Sequence, residues 1–438
     1  MTELRRELTL LDATMINVGT MIASAIFIVP ATVAASLPSP SLMLLVWIAG
    51  GAVSLLGALC VAELGAAFPE AGGLFVYLDR AYGPVWGFLY AWTAALIINP
   101  ASVAAIAVGF ATYVGFFVPL GSAAVKAVAI GSIVALTAVN CLGLKLGARV
   151  QNVLTLLKIG ALGALVVSAL VLPGGSAEHF RPFLPASLAG LTGAFSVAMV
   201  AVLWAYDGWI EITYVGSEVR DPGRTIPRSI VASVLLVVGL YVLTSAAYLY
   251  VLSPDRMAQS AVVGSDAALV LIGPAGAALV ACAIIVSTLG ANNGIVLTSA
   301  RIPYAVSRVG LFFRWMGEVH PRFHTPNAAL VTQGAVAAAF ALTGTYDQLF
   351  TYVVFASWMF YGMSAAAVMR LRAVAPQMPR PYRVWGYPVT PVVFITFALW
   401  LVASTIAESP VESGIGGAII LAGVPVYRYW RGRRTLTP

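Results

Sequence analysis

Long apolar stretches follow one another along the chain with short polar breaks between them. A helix needs about 20 mostly apolar residues to cross the hydrocarbon core of a bilayer. By that measure the pattern predicts twelve spans. They fall at residues 11–36, 41–68, 84–117, 123–142, 150–172, 188–217, 229–253, 273–300, 327–343, 347–369, 388–406 and 413–429. The ninth is short and runs out at Thr343-Gly344-Thr345. Two spans are interrupted where a lipid-facing helix would be uniform. In the first, residues 19–27 read Gly-Thr-Met-Ile-Ala-Ser-Ala-Ile-Phe. In the sixth, residues 204–211 read Trp-Ala-Tyr-Asp-Gly-Trp-Ile-Glu. Small residues let a helix unwind or let a ligand approach the backbone. They also let two helices pack closely, and the first stretch taken alone suits either reading.

A helix broken at bilayer depth exposes backbone N–H and C=O groups, so the break must face protein or a cavity. The new half-helix N-terminus attracts an anion, and the freed carbonyls hold a cation. Asp207 followed by Gly208 is a poor helix interior. A carboxylate at that depth costs several kcal/mol unless it is paired, protonated or wet. The aromatics at 204, 206 and 209 are large enough to wall a pocket. A tight kink with a protonated Asp is the plainer alternative. The spacing favours the pocket: one break in the first span of each five-span half is the pattern of inverted-repeat transporters with a midplane site. The expected division is an arm at 1–10, a first repeat at 11–172, a second at 188–373, two further spans at 387–430 and a tail at 431–438.

Composition excludes most other classes. Hydrophobic residues make up 60% and charged residues 9%, where soluble domains carry about 25% charge; mean hydropathy is +0.93. The first apolar segment is too long for a cleaved secretory signal. There is no GxxxxGK phosphate loop and no stretch suited to a soluble ATPase or receptor module. Cys60, Cys141 and Cys282 fall in or beside apolar segments, which argues against a disulfide framework. His179, His320 and His324 fall in expected loops, so an intramembrane metal site or histidine proton relay is not expected. No cofactor is expected either.

The net charge of +7 is a matter of topology, not of nucleic-acid binding. With the N-terminus inside, outside loops hold Lys126, Arg181 and Arg256. Lys158 lies within a span. Inside loops and tails hold the other 20 of the 24 Lys and Arg. That split supports cytoplasmic termini and an even number of spans. The stretches 218–228 and 301–326 are expected to be cytoplasmic connectors.

Charges at membrane depth are few. Glu63 and Glu211 lie nearer span ends, where snorkelling or helix capping is expected. Lys158 is deeper, and an unpaired ammonium there would lose its proton. It contacts freed carbonyls, pairs with a carboxylate, or titrates during a transport cycle; a purely structural tether is the plain alternative.

These residues resemble the amino acid–polyamine–organocation superfamily, close to its bacterial L-type amino acid transporter-like members. The family motif Gly-Ser/Thr-x-x-Gly-Ser-Gly-Ile-Phe has its counterpart in Gly19-Thr20-Met21-Ile22-Ala23-Ser24-Ala25-Ile26-Phe27. Ala205-Tyr206-Asp207-Gly208-Trp209 and Glu218-Val219-Arg220-Asp221-Pro222 match the sixth span. Phe68-Pro69-Glu70-Ala71-Gly72-Gly73, Arg301-Ile302-Pro303-Tyr304-Ala305, Gly310-Leu311-Phe312-Phe313 and residues 380–388 match in order. The resemblance implies an all-α membrane bundle of two inverted five-helix repeats plus two extra helices, with helices 1 and 6 broken. It implies a secondary amino acid transporter working by alternating access, with no enzyme activity. The substrate carboxylate would meet Ser24 and backbone amides among Thr20, Met21, Ile22, Ala23, Ser24 and Ala25. The amine would meet carbonyls around Met21, Trp204, Ala205, Tyr206 and Asp207. Trp204 would stand as a gate.

In relatives, a lysine like Lys158 sits where sodium-coupled cousins bind sodium, so transport is expected to be sodium-independent, by exchange or proton coupling. Two departures stand out. Ala23 and Ala25 replace the motif's glycines and narrow the cradle. Asp207 occupies a position that is Gly in many animal members and favours a cationic amine. Eukaryotic members join a heavy chain through an extracellular cysteine; the loop at 118–124 has none, so no such partner is expected. The expected partners are an amino acid and the bilayer, with no nucleic acid. The rivals are a permease for polyamines or other organic amines, and a membrane sensor that binds an amino acid without moving it.

Overall fold

The computed structural model of the protein describes residues 3–185, 191–343 and 346–434. Four parts of the expected layout lie outside the described residues: the first two positions of the arm, 188–190 of the sixth span, the Gly344-Thr345 end of the ninth, and the tail past 434. Every regular element described is helical. In order they are α1 (Leu10–Met21), α2 (Ala25–Ser36), α3 (Pro40–Ala67), α4 (Leu74–Tyr82), α5 (Pro84–Thr93), α6 (Asn99–Val114), α7 (Ser122–Cys141), α8 (Leu144–Val171), α9 (Leu191–Ala205) and α10 (Glu211–Tyr214). They continue as α11 (Pro222–Val251), α12 (Pro254–Ala258), α13 (Val263–Ile272), α14 (Pro274–Ser299), α15 (Arg301–Arg308), α16 (Asn327–Thr343), α17 (Tyr346–Val374), α18 (Val389–Glu408) and α19 (Pro410–Arg434).

Nine helices among the described residues are long and apolar enough to cross a membrane, and the bent pair α1 and α2 supplies a tenth. α9 and α16, in the sixth and ninth expected spans, have 15 and 17 residues. At 1.5 Å per residue they reach about 22–26 Å, short of a core about 30 Å thick. The protein is a multi-pass membrane protein.

α1 sits in the middle, packed by α8, α11 and α14. Around it α3 lies along α11, α14 along α8 and α6, α16 against α6 and α7, and α2 against α9. The close approach of α1 needs small residues. A Cβ on Gly19 would lie 1.9 Å from Gln151 Nε2, and one on Gly294 would lie 2.3 Å from Thr20 Cγ2. The small residues of the first span therefore serve close packing as well as the break. α1 starts with a reciprocal cap: the Asp12 N–H donates to Thr9 Oγ1 and the Thr9 N–H donates to Asp12 Oδ2.

The N-terminal arm is stitched to the segment after α10. The N–H groups of Glu7 and Leu8 donate to Glu218 O at 2.9 and 3.0 Å, and the Arg220 N–H donates to Leu8 O. Beneath this, Arg301 Nε and Nη2 hold both oxygens of Glu218 at 2.7 and 3.1 Å. Both side chains are fully buried.

Two expected connectors prove partly helical, and one expectation needs correction. The connector at 218–228 is helical from Pro222, because a proline at the first helical position needs no N–H partner and α11 starts there. The connector at 301–326 opens with α15, which runs on from α14. Glu63 does not snorkel. It lies 2% exposed; Arg372 Nε and Nη2 donate to it at 3.0 and 2.5 Å, the Val384 N–H donates at 2.7 Å, and Arg380 Nε stands 3.5 Å away as an ion pair. A buried carboxylate is tolerated when its lone pairs are met by hydrogen bonds, and three donors meet this one.

Candidate functional site

The first break covers residues 22–24, between α1 and α2, which meet at 45°. Its freed carbonyls are answered from other helices. Lys158 Nζ, on α8, donates to Gly19 O at 2.6 Å and Ile22 O at 2.7 Å. Ser287 Oγ, on α14, donates to Ile22 O and Ala23 O at 3.0 Å each. The Tyr241 hydroxyl, on α11, donates to Met21 O at 2.9 Å. Of the options open for Lys158 in the sequence, the structure shows contact with freed carbonyls. Ser24 sits at the start of α2, and its side chain makes no capping bond. A helix N-terminus with an uncommitted hydroxyl is an arrangement that can take an anion.

The second break follows Ala205. Gly208 takes φ +114°, and its carbonyl accepts the Thr20 hydroxyl at 3.1 Å, which ties the two breaks together. The Asn17 side chain accepts the Ile212 N–H at 2.9 Å. Asp207 Oδ1 accepts the Gly208 N–H and the Tyr361 hydroxyl, each at 3.0 Å. Glu211 Oε2 accepts the Thr298 hydroxyl in a short bond.

A cavity of about 120 Å³ lies against both breaks, roughly ten times the 10–15 Å³ that one water requires. Thr20, Met21, Ala23, Ser24, Trp204 and Asp207 line it, as the sequence predicts. Four other expected residues do not. Ile22 is spent on Lys158 and Ser287, and Ala25 and Ala205 are buried in helix packing. Tyr206 turns away: its hydroxyl donates to Trp47 O at 3.1 Å and its ring packs on Trp47 and Tyr241. Trp209 packs on Tyr361 and Phe394 instead of walling the pocket.

The rest of the lining was missed. Glu211 lines the cavity beside Gly208 and Tyr214, which corrects the capping role expected of it. Ile295 and Tyr361 come from α14 and α17. The longest wall is one face of α6 and the turn before it: Ile98, Asn99, Ala101, Ser102, Ala105, Ile106 and Gly109. That wall had a readable signal. Pro100 has no N–H, so the helical ladder cannot close normally behind it. A π turn spans Ala94–Ile98, and the Asn99 N–H donates to Ala94 O, five residues back. Such turns re-aim side chains and recur at functional sites. Asn99 is 5% exposed, and its Nδ2 has no acceptor among the described residues. Tyr214 also lines the cavity, its hydroxyl 2.6 Å from that of Tyr90. The lining carries two carboxylates and no Lys, Arg or His.

Similar proteins place this arrangement in a family. The amino acid permease model matches residues 8–425. The b(0,+)-type amino acid transporter 1 of Mus musculus is 34% identical over 93% of this chain and 84% of its own length. The serine/threonine exchanger SteT of Bacillus subtilis (strain 168) is 33% identical over 98% of both chains. The human cystine/glutamate transporter is 31% identical over 97% of this chain and 85% of its own length. A match along nearly the whole chain, through both broken helices, makes this protein a member of the amino acid permease family within the amino acid–polyamine–organocation superfamily.

Proposed function

We propose that the protein carries amino acids across the cytoplasmic membrane by alternating access, without sodium, as an exchanger or a proton-coupled carrier. The observation that carries this reading is the cavity shared by the two breaks. Substrate carboxylate would bind Ser24 and the N-terminal amides of α2. Substrate amine would bind Asp207 and nearby carbonyls, under Trp204. Lys158 would do the tethering that a sodium ion does in coupled cousins. The paired packing of α3 with α11, α6 with α14 and α7 with α16 is what two inverted five-helix repeats, 11–172 and 188–373, would produce.

The cavity follows α6 from Ile98 to Gly109, about 16 Å at 1.5 Å per residue. With both termini cytoplasmic, that is an outward-facing state. The orientation has a direct test. In a Cys282→Ser background, an impermeant thiol reagent added to intact cells should label Ser260→Cys and spare Leu436→Cys. The reverse pattern would invert the topology. The cysteines Cys60, Cys141 and Cys282 lie on α3, α7 and α14, which fits a carrier acting without a disulfide-linked heavy chain.

The test of the site is Asp207→Asn. Replacing a charge-assisted hydrogen bond by a neutral one costs about 1.5 kcal/mol, roughly tenfold in affinity. Binding of labelled amino acids to purified protein should weaken by about that factor while thermal unfolding is little changed. Unchanged binding would make Asp207 a kink element only. In the same assay, an amine lacking a carboxylate should fail to compete. Full competition by it would favour the organic-amine permease.

A further inference from the structure

Two carboxylates face the cavity and no cation of the lining answers them. Asp207 spends Oδ1 on Tyr361 and Gly208, and its Oδ2 has no donor among the described residues. Glu211 spends Oε2 on Thr298, and its Oε1 has no donor among the described residues. Lys158 cannot serve either one, since its Nζ donates to Gly19 O and Ile22 O and the residue does not line the cavity. Both residues line the cavity, so a bound ligand can supply the missing donors there: Asp207 and Glu211 each keep one oxygen for it.

Asp207 is accounted for by the substrate amine in the reading above, on which this step rests. Glu211 is left over. The Thr298 hydroxyl holds one of its oxygens. Ile98, Ile106 and Ile295 offer an apolar wall for a methylene stem, as suits a side chain with an apolar body and a charged tip.

We propose that Glu211 is the specificity-determining residue of the site, and that its unpaired oxygen receives the ammonium or guanidinium ending the side chain of a basic amino acid. A neutral aliphatic side chain of the same length leaves that oxygen without a donor and binds more weakly.

The test is competition binding to purified protein with L-lysine, L-norleucine, Nε-acetyl-lysine and cadaverine. The parent should prefer lysine over norleucine and over acetyl-lysine by roughly tenfold or more, the scale of one charge-assisted hydrogen bond. Glu211→Gln keeps the shape and can still accept from Thr298. It should collapse the lysine-to-norleucine ratio toward one, and Glu211→Asp should restore part of it. Monodispersity and thermal unfolding of each variant establish that it is folded. Equal preference for lysine and norleucine in the parent overturns the proposal, as does a Gln variant that keeps the ratio or loses both ligands alike. Failure of the underlying reading looks different: cadaverine then competes, and neither lysine nor norleucine does. That result also removes the basic amino acid as the occupant.

Discussion

Lys158→Ala is expected to cut uptake into proteoliposomes by roughly a hundredfold, with a smaller loss in equilibrium binding. The lysine makes two buried bonds, to Gly19 O at 2.6 Å and Ile22 O at 2.7 Å. A buried carbonyl left without its donor costs about 1–3 kcal/mol. Ser287 still serves Ile22 O after the substitution, so the uncompensated loss falls on Gly19 O. About 3 kcal/mol on a step that must re-form this junction in each cycle is roughly a hundredfold in rate. Binding suffers less because Ser24 and Asp207 remain in place. Replacing sodium by choline should leave the parent's uptake unchanged, since Lys158 Nζ already tethers the break to α8. Uptake that falls steeply in choline would remove the lysine from that role. So would a Lys158→Ala protein that transports like the parent at every pH.

Gly208→Ala is expected to abolish measurable uptake and to lower the unfolding midpoint. Gly208 has φ +114°, a backbone that only glycine adopts without strain. An added Cβ would also stand 3.0 Å from Met21 N and 3.0 Å from Thr20 C, both backbone atoms of α1. Neither can step aside without moving the first break. Strain of this kind costs about 1–3 kcal/mol, and overpacking a tight contact adds about 1–3 kcal/mol. The Thr20 to Gly208 bond that joins the breaks would be strained with it. Gly160→Ala is the control: nothing lies within 4 Å of its Cβ position, and alanine there should be neutral or stabilise by about 0.4–1 kcal/mol. Uptake and thermal unfolding measured on both variants check the contrast. Parent-like transport by Gly208→Ala would show that the two breaks tolerate separation.

The sequence made both breaks legible because each violates a local rule. Gly19, Ser24 and two alanines interrupt an apolar span, and Asp207-Gly208 puts a charge and a helix breaker at bilayer depth. Membrane class was legible for the same kind of reason, since mean hydropathy and segment length are properties of one stretch at a time. The π turn before Pro100 left a local trace too, though one that needed the missing N–H to be followed to its consequence.

What the tertiary structure alone decided is which groups answer which. Lys158 reaches Gly19 across 139 residues and Ser287 reaches Ile22 across 265, so no window along the chain contains both partners. Glu211 and Glu63 look alike in sequence, each a carboxylate near a span end. Packing separates them: Arg372, Arg380 and the Val384 N–H close around Glu63, while Glu211 receives one hydroxyl and opens on the cavity. Tyr206 and Trp204 are two residues apart on one aromatic stretch, yet Trp47 claims the first and the cavity takes the second. Local sequence determines where a helix must break, because backbone and solvation costs accrue residue by residue. The partners that make the break affordable come from distant helices, and only their packing determines them.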